Sequence, residues 1–126
     1  MATILVIDDD KTVLASVKKI LELKGFNVLT AEDGNEGIKL FNDHQVDLVI
    51  TDIVMPEKEG IETIVEMREH TPDIKIIAMS GGGHLSAEGY LKAAKTFGVK
   101  YTFTKPFDTD DFLEAVYESL KGEGTS

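Results

Sequence analysis

The sequence predicts an α/β fold, one open parallel sheet of five strands with helices on both faces, and three observations lead there. Short runs rich in Val and Ile alternate with segments whose apolar residues recur every three and four positions. Those runs are continuous apolar stretches, each broken by at most one charge, the pattern of strands buried on both faces. The connections are short, which favours right-handed crossovers between neighbouring strands.

The elements follow in order. Residues 4–7 are the first strand, and Val13, Leu14, Val17, Ile20 and Leu21 mark a helix closed by Gly25 as its C-cap. Residues 26–30 form a short second strand, followed by a weaker helix over residues 35–41. Residues 46–50 are the third strand; Ile61, Ile64 and Val65 lie on the next helix, which stops at Thr71-Pro72-Asp73. Residues 74–79 are the fourth strand. A helix through Tyr90, Leu91 and Ala94 then runs to Gly98, a fifth strand leads into Lys105, and Phe112, Leu113, Val116 and Leu120 mark the last helix. The expected architecture is a flavodoxin-like sheet of order 2-1-3-4-5 with five helices on both faces. We expect one domain over residues 1–121 and a flexible tail over 122–126.

Composition narrows the function. With 42% apolar and 29% charged residues the chain has the balance of a soluble globular protein, not a disordered one. No apolar run suggests a membrane span or a signal peptide, so a cytoplasmic location is expected. The absence of cysteine removes disulfides, thiolate zinc sites and cysteine nucleophiles. A formal charge of −10 argues against direct nucleic-acid binding, which needs clustered Lys and Arg.

Asp8, Asp9 and Asp10 follow the first strand, Asp52 ends the third, Ser80 follows the fourth and Lys105 the fifth. Taken singly, each has a bland explanation: an Asp run after a strand is commonly a turn and a helix N-cap, and a lysine is commonly solvated. In a parallel sheet, however, all four strand ends share one edge, so the carboxylates, the hydroxyl and the ammonium converge on the crevice at the switch point of the sheet. Carboxylates packed so closely need a compensating cation, and magnesium suits a few carboxylates plus water and phosphate oxygens. The glycines Gly81, Gly82 and Gly83 match no Walker pattern.

The stretches LVIDDD, LVITDIVMPEKEG, IIAMSG and FTKPF, in this order, resemble the response-regulator receiver domain family of two-component signalling, and the chain is chemotaxis-regulator-like across residues 3–120. The resemblance implies that Asp52 accepts a phosphoryl group from a sensor histidine kinase or a histidine phosphotransfer protein. Asp8, Asp9, Asp52 and the backbone carbonyl of Val54 would hold Mg2+, Ser80 would hydrogen-bond the phosphoryl oxygens and Lys105 would pair with them. It also implies a cis peptide at Lys105-Pro106. Such a domain is a signalling switch, not a turnover enzyme; its partners would be the phosphodonor and a downstream protein target, with neither nucleic acid nor membrane bound directly and dimerisation on phosphorylation as an option. Where the family usually carries an aromatic three residues before the lysine, this chain has Thr102, and Tyr101 and Phe103 should point to the opposite face.

A rival reading takes Asp8, Asp10 and Thr12 as the Asp-x-Asp-x-Thr signature of haloacid dehalogenase-like phosphatases, with Asp8 as nucleophile and Asp10 as acid/base. It leaves Asp52 without a role. A further alternative is an unphosphorylated interaction module that has kept only the fold.

Overall fold

The strands β1 (Thr3–Ile7), β2 (Asn27–Ala31), β3 (Leu48–Asp52), β4 (Lys75–Gly81) and β5 (Tyr101–Lys105) form one parallel sheet of order β2-β1-β3-β4-β5 in the computed structural model, which describes residues 2–53, 60–81, 98–105 and 108–121. This is the predicted order. The helices among the described residues are α1 (Lys11–Leu23), α2 (Gly34–Asp43), α3 (Gly60–His70) and α4 (Thr109–Lys121). The helix predicted through Tyr90, Leu91 and Ala94, the Lys105-Pro106 peptide and the tail at 122–126 lie outside the described residues.

The consecutive apolar runs are explained by burial on both faces. Ile4, Val6, Leu48 and Ile50 pack with Leu14, Val17, Leu21, Phe112 and Val116 from α1 and α4. The alternate residues Leu5, Ile7 and Val49 pack with Ile38, Phe41, Ile64 and Met67 from α2 and α3. Side chains of the central β1 and β3 strands such as Ile4, Leu5, Val49 and Ile50 are fully removed from solvent, and each contributes roughly 1.5–3 kcal/mol relative to exposure. The edge strand β2 is only half-buried over Val28 to Thr30.

Helix ends are set by the side chains the sequence offers. Asp10 caps α1, its carboxylate accepting from the amides of Thr12 (2.9 Å) and Val13 (3.3 Å). At the other end Phe26 N donates to Leu21 O and Gly25 N to Glu22 O, with Gly25 at φ 92°, the paired bonds of a Schellman motif that needs a left-handed residue. Asp33 Oδ1 accepts from Glu36 N at 2.8 Å, while Glu36 Oε1 reaches back to Glu32 N at 2.8 Å, so α2 starts with a reciprocal pair related to the capping box. Asp108 does the same service for α4, accepting from Asp110 N and Asp111 N. These caps set where α1, α2 and α4 begin.

Candidate metal and phosphoryl site

The site lies at the carboxyl ends of the strands. β1 and β3 pair through Ile7↔Thr51, so Asp8 and Asp52 are the next residues along two adjacent strands. Asp8 is fully buried and Asp52 is 5% exposed, whereas Asp9 faces solvent. One carboxylate oxygen from each of Asp8, Asp9 and Asp52 falls within 4.8 Å of the others. Like charges at that separation repel by about 3 kcal/mol per pair at an effective dielectric near ~20, so the trio calls for a cation. Three hard oxygen donors at one open edge suit a divalent ion of the magnesium or calcium type and offer nothing to a soft metal.

Backbone ties hold these acids in place. Asp8 N donates to Ala31 O at 3.1 Å, and the Asp8 carboxylate accepts from Asp10 N at 2.9 Å. Beyond Asp52 the ladder continues through Ile53 N to Met79 O at 3.0 Å, and Thr51 Oγ1 donates to the Asp52 carbonyl at 2.9 Å. Thr51 was not singled out by its sequence position; a hydroxyl next to an acid at a strand end is the only signal it gives. Ser80 is 1% exposed on β4, one residue beyond the Asp52↔Met79 pair, so its backbone reaches the same edge of the sheet. Lys105 ends β5 opposite Gly81 in the register. The backbone thus carries Lys105 to the same edge, while its side chain, like Val54, lies outside what the structure describes.

Asp10 is brought close in sequence but not into the cluster. Its carboxylate is engaged in capping α1, turned toward Thr12 N and Val13 N, and the metal-ready trio is Asp8, Asp9 and Asp52. The phosphatase reading therefore finds no support: its acid/base is occupied as a helix cap, and Asp52, which it leaves idle, sits within the cluster.

Fold and site together define a class of protein, an α/β domain with a carboxylate crevice at the switch point of a 2-1-3-4-5 parallel sheet. The chain belongs to the response regulator receiver domain family, whose model matches residues 4–117. It is 39% identical over 72% of its length to the transcriptional regulatory protein CpxR of Klebsiella pneumoniae, of which it spans 42%. Over 96% of its length it is 32% identical to the whole of the chemotaxis protein CheY of Listeria monocytogenes. The solved structure of the response regulator TrrA from Thermotoga maritima, in complex with Mg(2+)-BeF, superposes with a TM-score of 0.84 at 32% identity, covering 95% of this chain and 100% of that one. The chain is thus a receiver domain of the two-component type, a signalling switch. Among the described residues no helix is long and apolar enough to cross a membrane.

Proposed function

We propose that this receiver takes a phosphoryl group onto Asp52, from a phosphohistidine of a sensor histidine kinase or phosphotransfer protein or from a small acyl phosphate. The observation that carries the proposal is the meeting of the Asp8, Asp9 and Asp52 carboxylates within 4.8 Å, at the strand edge that also carries buried Ser80. A carboxylate oxygen of Asp52 attacks phosphorus, the bond from phosphorus to the donor imidazole nitrogen breaks, and the electron pair leaves with the imidazole. Asp52 is suited to this role because its backbone is fixed on both sides, by Thr51 Oγ1 on its carbonyl and by the Ile53 amide on Met79 O, which fixes the point from which its side chain enters the crevice. Asp8 and Asp9, with the carbonyl of Val54, would hold Mg2+. The ion supplies charge neutralisation for the phosphoryl oxygens in a loose transition state. TrrA was captured with magnesium and a beryllium fluoride group, which supports the choice of metal.

Ser80 hydrogen-bonds a phosphoryl oxygen and Lys105 pairs with another. Phosphorylation brings roughly −1.5 to −2 charges and three strong acceptors into a crevice of fixed carboxylates, so Ser80 and Lys105 move toward the new group and carry the change outward to a downstream protein. Water hydrolysis of the acyl phosphate resets the switch. The test is intact-mass measurement after incubation with acetyl phosphate and magnesium. The parent gains the mass of one phosphoryl group, and Asp52→Asn gains none. Normal labelling of Asp52→Asn, or label mapped to Asp8, would overturn the assignment.

A further inference from the structure

At the opposite, amino-terminal edge of the sheet is a cavity of about 320 Å3. Its origin lies in the register. β4 starts at Lys75, but β4 and β5 pair only from Ile77↔Tyr101 onward, so the first residues of β4 run ahead of the pairing and leave a step in the sheet. The carboxyl end of α3 closes one side of the step with Arg68, and the last turns of α4 close another with Glu118 and Ser119.

Arg68 is the unusual member of the lining. Its Nη2 donates to Gly98 O at 3.2 Å, yet its Nε is buried and has no hydrogen-bond partner among the described residues. Buried donors are almost always satisfied by protein or water, so an under-satisfied guanidinium on the wall of a cavity is a place where an acceptor would be held. Gly98 makes room for the group: at φ 88° it takes a conformation that other residues resist, and a Cβ there would come to 2.8 Å from Arg68 Nη1. Lys75 and Lys100 line the same cavity, against Asp73 and Glu118. The lining thus has an excess of one positive charge in a chain whose net charge is −10.

We propose that this cavity is a binding site for a small anion, the carboxylate or phosphate group of a low-molecular-weight ligand, anchored on the Arg68 guanidinium. A guanidinium offers a planar fork of N–H donors that matches either oxyanion. The volume is at the lower end of small-molecule pockets, which limits the ligand to few heavy atoms. Asp73 and Glu118 select against polyanions, so the ligand bears one or two negative charges. This site is distinct from the carboxylate crevice and independent of phosphoryl transfer.

The probes are inorganic phosphate, acetate and tripolyphosphate, titrated into the whole isotope-labelled chain with magnesium removed and followed through amide NMR shifts. Phosphate or acetate produces saturable shifts at Ile74, Gly98 and Ser119, and which of the two binds more tightly identifies the preferred oxyanion. Tripolyphosphate binds more weakly than the better of them. Arg68→Gln weakens binding by about tenfold or more, the loss of a charge-assisted contact. Lys100→Gln also weakens it, whereas Lys18→Gln, on exposed α1 surface, leaves it unchanged. Should Arg68→Gln fail to fold, Arg68→Lys and Lys100→Gln decide the matter, since both must lower affinity. Shifts that never saturate, or affinity unaltered in the Arg68 and Lys100 variants, would overturn the proposal.

Discussion

The Asp8 carboxylate accepts a hydrogen bond from the Asp10 amide at 2.9 Å, while the Asp10 carboxylate turns away to cap α1. One turn of backbone thereby separates three adjacent acids into two jobs, with Asp8 and Asp9 facing the crevice and Asp10 facing the helix. Asp10→Ala should lower stability by about 1 kcal/mol, the usual cost of a lost N-cap, and Asp10→Asn should lie near the parent. Both should be phosphorylated by acetyl phosphate at close to the parent rate. Urea denaturation measures the first and intact mass the second. An Asp10→Asn variant that folds normally but cannot be labelled would restore Asp10 to the chemistry.

Removal of magnesium should expose the repulsion within the trio. Without metal, Asp9→Asn should melt at or above the temperature of the parent, because it relieves like charges within 4.8 Å at a solvent-facing position. With metal, the order should reverse. Saturating magnesium stabilises the parent by about 2.7 kcal/mol at a hundredfold excess over its dissociation constant, and the variant, which binds weakly, gains less. Thermal melts with and without magnesium test this, and equal metal-induced shifts in the two proteins would remove Asp9 from the metal site.

Behind Asp8 the packing depends on Gly37. A Cβ on Gly37 would collide with the Cδ1 of Ile7, which is fully buried and is the last residue of β1 before Asp8. Replacing a helical glycine by alanine ordinarily gains about 1 kcal/mol of helix propensity. Here the gain should be outweighed, because overpacking a filled core costs about 1–3 kcal/mol and Ile7 has no solvent side to retreat to. Gly37→Ala should therefore be less stable than the parent in urea denaturation. A more stable variant would show that Ile7 has another rotamer available.

The strands of the sheet were legible because buried parallel strands leave a mark that needs no context: apolar runs at 4–7, at 46–50 and at 74–79, each broken by at most one charge. The boundaries were less so. β3 runs on to Asp52 and β4 to Gly81, since polar residues at strand ends are held by ladder bonds, such as Ile53 N to Met79 O, that pattern does not encode. Gly25 as a C-cap was readable, as only glycine takes φ 92° without strain. At the site, Asp8, Asp9 and Asp52 were readable as strand-end acids. The division of labour between Asp9 and Asp10 followed only from the family resemblance, because it rests on a single backbone turn that residue pattern does not encode. The cavity beside Arg68 had no signal in the sequence at all; it comes from a register step between β4 and β5.

Tyr101 and Phe103 pack with the cluster on the α1 and α4 side, and Phe103 meets Phe112 edge-on with ring centroids 6.0 Å apart. Thr102 pairs with Ala78, whose side chain belongs to the cluster on the other face. The alternation expected from the sequence thus holds, and neither aromatic can stand in for a side chain at position 102 without slipping the register and inverting the whole strand. On adding magnesium and beryllium fluoride, the Thr102 amide should therefore shift more than the ring protons of Tyr101 and Phe103, which are anchored away from that face. Phe103→Leu should cost about 1 kcal/mol of stability, within the range of conservative changes in a packed core, and leave the response at Thr102 in place. Ring protons of Tyr101 that move strongly while Thr102 stays still would show that this aromatic, despite its orientation, carries the signal.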